Sequence, residues 1–132
     1  MANYVAHLQP ELAVNYCRLV VVWVDGPAST RAARQELGAT FPFLCDHERK
    51  LIAELDIVDT SDARHPRIAI PYTFVLDAQR AIYRIYNGWC YVGRPTVEEL
   101  RMDMRALMSR RSDWWYGDTP PPFASRGSAP AV

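Results

Sequence analysis

The chain has 132 residues, 49% hydrophobic and 23% charged, which is the make-up of one soluble globular domain with a core of its own. Lys plus Arg number 15 and Asp plus Glu 15, so the net charge is zero, and nothing favours a nucleic-acid backbone or an anionic membrane as partner. The longer apolar runs, such as residues 19–24, fall short of the roughly 20 residues needed to span a bilayer, and Met1-Ala2-Asn3 does not open an export signal; a cytoplasmic location is the expectation.

From Asn3 to Tyr16 the apolar residues Val5, Leu8, Leu12 and Ala13 recur at three- and four-residue steps, predicting a helix with Pro10 at a first turn or a kink. Residues 18–25, Arg-Leu-Val-Val-Val-Trp-Val-Asp, are β-branched and almost continuously apolar. That pattern predicts a central strand covered on both faces. Gly26-Pro27 breaks it, Ser29 offers a cap for a helix through Leu37, and Gly38 stands where a left-handed helix end needs glycine.

Phe41-Pro42-Phe43-Leu44-Cys45 is a short extended segment. Asp46 then offers an N-cap for a second helix over residues 47–55. Residues 56–68 show no periodicity and read as a surface loop. Tyr72–Asp77 and Ala81–Tyr86 are close enough in sequence to form a hairpin. After Asn87-Gly88 and the Gly93-Arg94-Pro95 loop, Thr96 and Glu99 form a capping box for a helix with Leu100, Met104 and Leu107 on one face. Glu98, Glu99, Asp103, Arg101 and Arg105 read as its solvated side. Residues 1–110 are thus expected to form the domain. Residues 111–132 form a tail whose Pro120-Pro121-Pro122 and small residues cannot order themselves, with Trp114, Trp115 and Tyr116 packing back or offering a docking patch.

The three cysteines, Cys17, Cys45 and Cys90, include no Cys-x-x-Cys pair, which argues against a disulfide framework and against half a zinc site. His7, His47 and His65 are scattered, so no metal triad is expected. No motif for a bound cofactor or phosphate appears.

The order helix, strand, helix, helix, hairpin, helix is that of the second part of a thioredoxin-like domain. Phe41-Pro42-Phe43-Leu44-Cys45-Asp46, Pro71-Tyr72-Thr73-Phe74-Val75-Leu76-Asp77 and Gly93-Arg94-Pro95-Thr96-Val97-Glu98-Glu99-Leu100 resemble, in order, peroxiredoxin-type proteins of the alkyl hydroperoxide reductase and thiol-specific antioxidant family. The likeness covers residues 8–108. It implies an α/β fold with a thioredoxin-like mixed sheet flanked by helices. It also implies an antioxidant thiol oxidoreductase in which a cysteine thiolate reduces a peroxide and a second thiol, such as that of a reductant protein, restores it. No tightly held cofactor is implied.

Two departures from the family stand out. Its Pro-x-x-x-Thr-x-x-Cys segment, which carries the reactive thiolate at a helix start, does not occur in these residues. The family strand leading into it would lie between the strand of Val20 and that of Phe74, so the resemblance implies an N-terminally truncated fold. Without that strand the two neighbours close up, another chain supplies it, or a longer protein does. A homodimer through the exposed strand edge is one such arrangement, and a non-catalytic thioredoxin-like binding module is the alternative reading. Secondly, Pro71 stands where many peroxiredoxins place an arginine, and a cis Ile70-Pro71 bond would aim the Ile70 carbonyl at substrate.

The resemblance therefore makes Ile70, Pro71, Tyr72 and Thr73 a substrate-facing wall, with Arg94 as a replacement cation. Among the cysteines, Cys45 precedes a helix start and Cys90 lies between Trp89 and Tyr91. These two are the candidates for a redox role, while Cys17 is expected to pack as a small hydrophobe.

Overall fold

The computed structural model describes residues 1–61, 67–88 and 93–110. The chain divides into two compact units, Met1–Val97 and the residues from Glu98 onward.

The predicted first helix is split into α1 (Ala2–His7) and α2 (Gln9–Leu12). Pro10 causes the division: it has no N–H to donate and occupies the first turn of α2. Tyr4 and Leu8, four residues apart, are buried on one face, Leu8 to 2% exposure, and the Tyr4 hydroxyl donates to the Pro95 carbonyl. Leu12 is only half-buried and Ala13 exposed, so the apolar stripe stops at the break.

Strand β1 (Val21–Trp23) runs parallel to β2 (Phe43–Cys45), with Val21 opposite Phe43 and Trp23 opposite Cys45. Between them lies α3 (Pro27–Glu36), the crossover that parallel strands require. The strand expected over residues 18–25 is thus much shorter, and it is not covered on both faces, since Val20 and Val22 are 49% and 39% exposed. Among the described residues β1 has a ladder on one edge only, which leaves its ends without partners there to hold them extended. Gly26, not Ser29, is the N-cap of α3, with Pro27 preset for the first helical position. Gly38 takes the left-handed conformation at a φ of 65°, as predicted.

Side chains then guide the chain into β2. Arg34 donates from Nε to the Phe41 carbonyl at 3.0 Å and from Nη2 to the Thr40 carbonyl at 3.2 Å. Gln9 Oε1 accepts from the Thr40 N–H at 2.7 Å, while its Nε2 donates to the Gly38 carbonyl at 3.4 Å.

Helix α4 covers Lys50–Glu54, later than the predicted start at residue 47, because Arg49 at its N-cap is left-handed with a φ of 58°. Asp46 still caps it from a distance: Oδ1 accepts the Leu51 N–H at 3.2 Å and Oδ2 the Ile52 N–H at 3.1 Å. The stretch expected to be a loop holds a short antiparallel pair, β3 (Val58–Asp59) and β4 (Ile68–Ala69). Two residues a strand are too few for alternation to show. His65, in that stretch, lies outside the described residues.

The predicted hairpin is present as β5 (Tyr72–Leu76) and β6 (Ile82–Asn87), antiparallel with a register shift at Val75/Leu76. Asp77 closes it by accepting the Gln79 and Ala81 N–H groups on Oδ1 at 2.9 and 2.8 Å, an Asx turn that tolerates Arg80 at a φ of 67°.

In α5 (Val97–Ser109) the helix opens directly after Thr96 and buries Leu100, Met104 and Met108, with Leu107 half-buried. Asp103 corrects the expectation of a solvated face: at 2% exposure it belongs to the buried stripe, three residues from Leu100 and four from Leu107. The tail, with Trp114 and Trp115, lies outside the described residues.

The Asp46 carboxyl is pushed up by desolvation. The N–H groups of Ile52, Leu51 and Lys50 and the nearby His47 outweigh this and hold it below the ordinary aspartate range. A depressed folded-state value adds stability above the unfolded value of about 3.9, and that stability is lost as pH falls through the folded value. Asp46→Ala should therefore lower the unfolding free energy by about 1 kcal/mol at neutral pH. In urea titrations this deficit should shrink as the pH is taken below about 4.

Candidate functional site

Two places in the Met1–Val97 unit carry the residues singled out in the sequence. The first is the wall at the start of β5. Ile70 and Pro71 are half-buried, and the backbone there is held on both sides: the Ile70 N–H donates to the Ile57 carbonyl and the Gly88 N–H to the Pro71 carbonyl, each at 2.9 Å. The peptide bond before Pro71 is trans, as are the others among the described residues, which corrects the cis expectation; the Ile57 and Gly88 contacts fit the segment as ordinary extended chain entering a strand. Tyr72 stacks on Phe74, ring centroids 5.7 Å apart, so these two rings share a face of β5. Thr73 pairs with Tyr86 on β6.

The hydrogen-bond phase leaves β5 with one free edge. Because Pro71 and Gly88 form a bonded pair, the alternation of an antiparallel ladder makes Thr73 the next residue to bond β6. The N–H and C=O groups of Tyr72 and Phe74 then turn the other way. On β1, the Val21 N–H donates to the Pro42 carbonyl and the Trp23 carbonyl accepts from the Asp46 N–H at 2.8 Å, so Val22 likewise turns its backbone groups away from β2. Among the described residues β1 pairs with β2 alone and β5 with β6 alone.

Arg94 is exposed and close enough to the Met1 amine to help lower its pKa, after the larger effect of the amine's own burial. Among the described residues no hydrogen bond joins Arg94, Cys45 or the 70–73 segment to one another.

The second place is the carboxyl end of β1 and β2. Register places Trp23 and Cys45 side by side on one face, where Trp23 also packs on Phe43 with centroids 5.8 Å apart. Cys45 is exposed. Its Sγ donates to the Asp25 carbonyl at 3.0 Å and stands 3.8 Å from His47 Nδ1. The Asp25 carboxylate accepts from Trp23 Nε1 at 2.8 Å, and the Thr30 hydroxyl donates to the Asp25 carbonyl at 3.2 Å. His47 was read in the sequence only as a member of a scattered histidine set. Its contact with Cys45 forms where the end of β2 turns into a loop, which the Cys45-Asp46-His47 spacing alone does not fix.

Cys17 is half-buried, donates from Sγ to the Asn15 carbonyl at 3.1 Å, and has its thiol pushed up by burial. Cys90 lies outside the described residues. Among the described residues no group of three or more His, Cys, Asp or Glu converges to hold a metal ion, and no helix is long and apolar enough to cross a membrane.

The sequence profile described as the AhpC/TSA family matches residues 1–85. The chain belongs to that family. No curated protein matches it. Among solved structures it resembles AhpC of Mycobacterium tuberculosis, with a TM-score of 0.60 at 21% identity, covering 80% of this chain and 57% of that one. It also resembles a cysteine-to-serine mutant of peroxiredoxin 6 of Arenicola marina, with a TM-score of 0.64 at 15% identity, covering 91% and 60%. At these identities the likeness shows the fold, which is that of the thioredoxin-like peroxiredoxins, and the chain spans under two thirds of each relative's length.

The contrast between the two described cysteines is measurable. Iodoacetamide followed by peptide mapping should alkylate Cys45 faster than Cys17 by about tenfold or more, because one thiol is exposed and the other is half-buried and held protonated.

Proposed function

We propose that this protein is a peroxiredoxin-like thiol oxidoreductase whose 132 residues supply the strand walls against which a peroxide-reducing cysteine segment docks. The observation that supports this is the pair of strand edges without a partner among the described residues, at Val22 on β1 and at Tyr72 and Phe74 on β5, in a chain of the AhpC/TSA family. In this reading one additional strand would satisfy both rows, and in the family that strand leads into the helix start bearing Pro-x-x-x-Thr-x-x-Cys.

The chemistry is then a balanced displacement. The thiolate sulfur attacks one peroxide oxygen, the O–O bond breaks, and the other oxygen leaves as an alcohol or water after taking a proton. The resulting sulfenic acid condenses with a reductant thiol, releasing water, and a second thiol cleaves that disulfide to restore the cysteine. A helix N-terminus is suited to stabilising the thiolate. Ile70, Pro71, Tyr72 and Thr73 would face the peroxide, with Arg94 as the added cation.

A second reading, a non-catalytic thioredoxin-like module that binds a partner strand at the same edge, is favoured by the lack of the family's cysteine motif in these residues. One assay separates the two. Peroxide consumption with a thiol donor is measured for this chain, and for the chain joined to an N-terminal strand and helix bearing Pro-x-x-x-Thr-x-x-Cys. The expected result is turnover in the joined protein that is lost when the motif cysteine becomes serine. A joined protein that folds but consumes no peroxide would overturn the enzymatic reading in favour of the binding module.

A further inference from the structure

The Cys45 cluster stands apart from the wall just described, and the motif chemistry of the family makes no use of it. We propose that Cys45 and His47 form a thiol–disulfide exchange site, which captures a low-molecular-weight disulfide as a mixed disulfide on Cys45.

A nucleophile and a base lie within reach of each other. Cys45 Sγ is exposed and 3.8 Å from His47 Nδ1, near the limit for a hydrogen bond to sulfur and close enough to become one with a small side-chain rotation. The thiol has two acceptors to choose between. At rest its proton is directed to the Asp25 carbonyl at 3.0 Å; in reaction it passes to Nδ1, which must be the unprotonated ring nitrogen. Asp25 is itself held, its carboxylate by Trp23 Nε1 at 2.8 Å, while the Thr30 hydroxyl shares its one proton between the Gly26 carbonyl at 3.0 Å and the Asp25 carbonyl at 3.2 Å. The acceptor is thus a positioned group and not a wandering loop atom. The arrangement supplies two members of the usual set, a nucleophile and a base within reach of it.

The position also suits a small ligand. Cys45 ends a parallel strand, and ligands of open α/β sheets bind beyond the carboxyl ends of such strands. Trp23, half-buried and beside Cys45 in register, adds an aromatic side chain next to the thiol.

The exchange balances without a further oxidant. The Sγ–H proton moves to His47 Nδ1, and the sulfur forms a bond to one sulfur of the disulfide. The original S–S bond breaks, and the departing thiolate takes the proton back from the imidazole. Cys45 is oxidised to the mixed disulfide and the departing half is reduced to a thiol.

The test incubates the full chain with oxidised glutathione in the absence of peroxide and follows adduct formation at each cysteine by intact mass and peptide mapping. The expected result is an adduct on Cys45 that dithiothreitol removes, forming faster than any adduct on Cys17. His47→Gln, which keeps a polar side chain at an exposed position but cannot take the proton, should slow the Cys45 adduct by about tenfold and leave Cys17 unchanged. Equal rates at Cys45 and Cys17, or a His47→Gln rate equal to the parent with circular dichroism unchanged, would overturn the proposal. Because no peroxide is present, either outcome is independent of the peroxidase reading.

Discussion

A strand hydrogen-bonds through alternate residues on alternate edges, and among the described residues β1 and β5 each spend only one edge. Val22 on β1 and Tyr72 and Phe74 on β5 direct backbone donors and acceptors away from their partners β2 and β6. Where water reaches such groups they cost little. Where an apolar surface covers them, each unsatisfied group costs about 1–3 kcal/mol. Apolar side chains on and beside these strands are also open: Val20, Val22 and Leu44 around one pair and Leu76, Ile82 and Ile85 in the other are all more than a third exposed. Edges of this kind invite strand addition, and this invitation connects the fold to the proposed chemistry.

What holds the short strands in place is therefore side-chain work more than sheet cooperativity. Arg34 and Gln9 fix the entry to β2, Asp46 fixes its exit and caps α4, and Asp77 closes the β5–β6 turn. Each device satisfies backbone groups that a larger sheet would satisfy by itself. The same devices place Cys45 where Asp25 and His47 meet it, so the second thiol site is a by-product of how the β2–α4 junction is tied.

Much of this was legible in the sequence. Apolar runs marked β1 and β5, Gly38 marked a helix end, the Asp77 turn marked a hairpin, and three ordered motifs marked the family. The errors have physical causes. Pro10 broke a helix whose periodicity continued past it, and Arg49 in a left-handed conformation delayed α4 although Asp46 had been read correctly as a cap. Asp103 was classed by its charge when its spacing from Leu100 placed it in the buried stripe. The continuously apolar stretch around Val21 suggested burial on both sides, but composition reports the environment a strand is made for and not the partners within the same 132 residues. For the site, the resemblance supplies the proposal of a wall at Ile70, Pro71, Tyr72 and Thr73, whereas the Cys45–His47 contact depends on a strand end turning into a loop, which no linear spacing rule fixes.

Residue-resolved hydrogen exchange tests the open edges most directly. The account predicts that in the chain alone the Val22, Tyr72 and Phe74 amides exchange far faster than their ladder-bonded neighbours Trp23 and Thr73, and that they become protected when the strand-and-helix segment is joined to the chain. Equal protection of both sets in the chain alone would show that the edges are already paired, and would contradict the account.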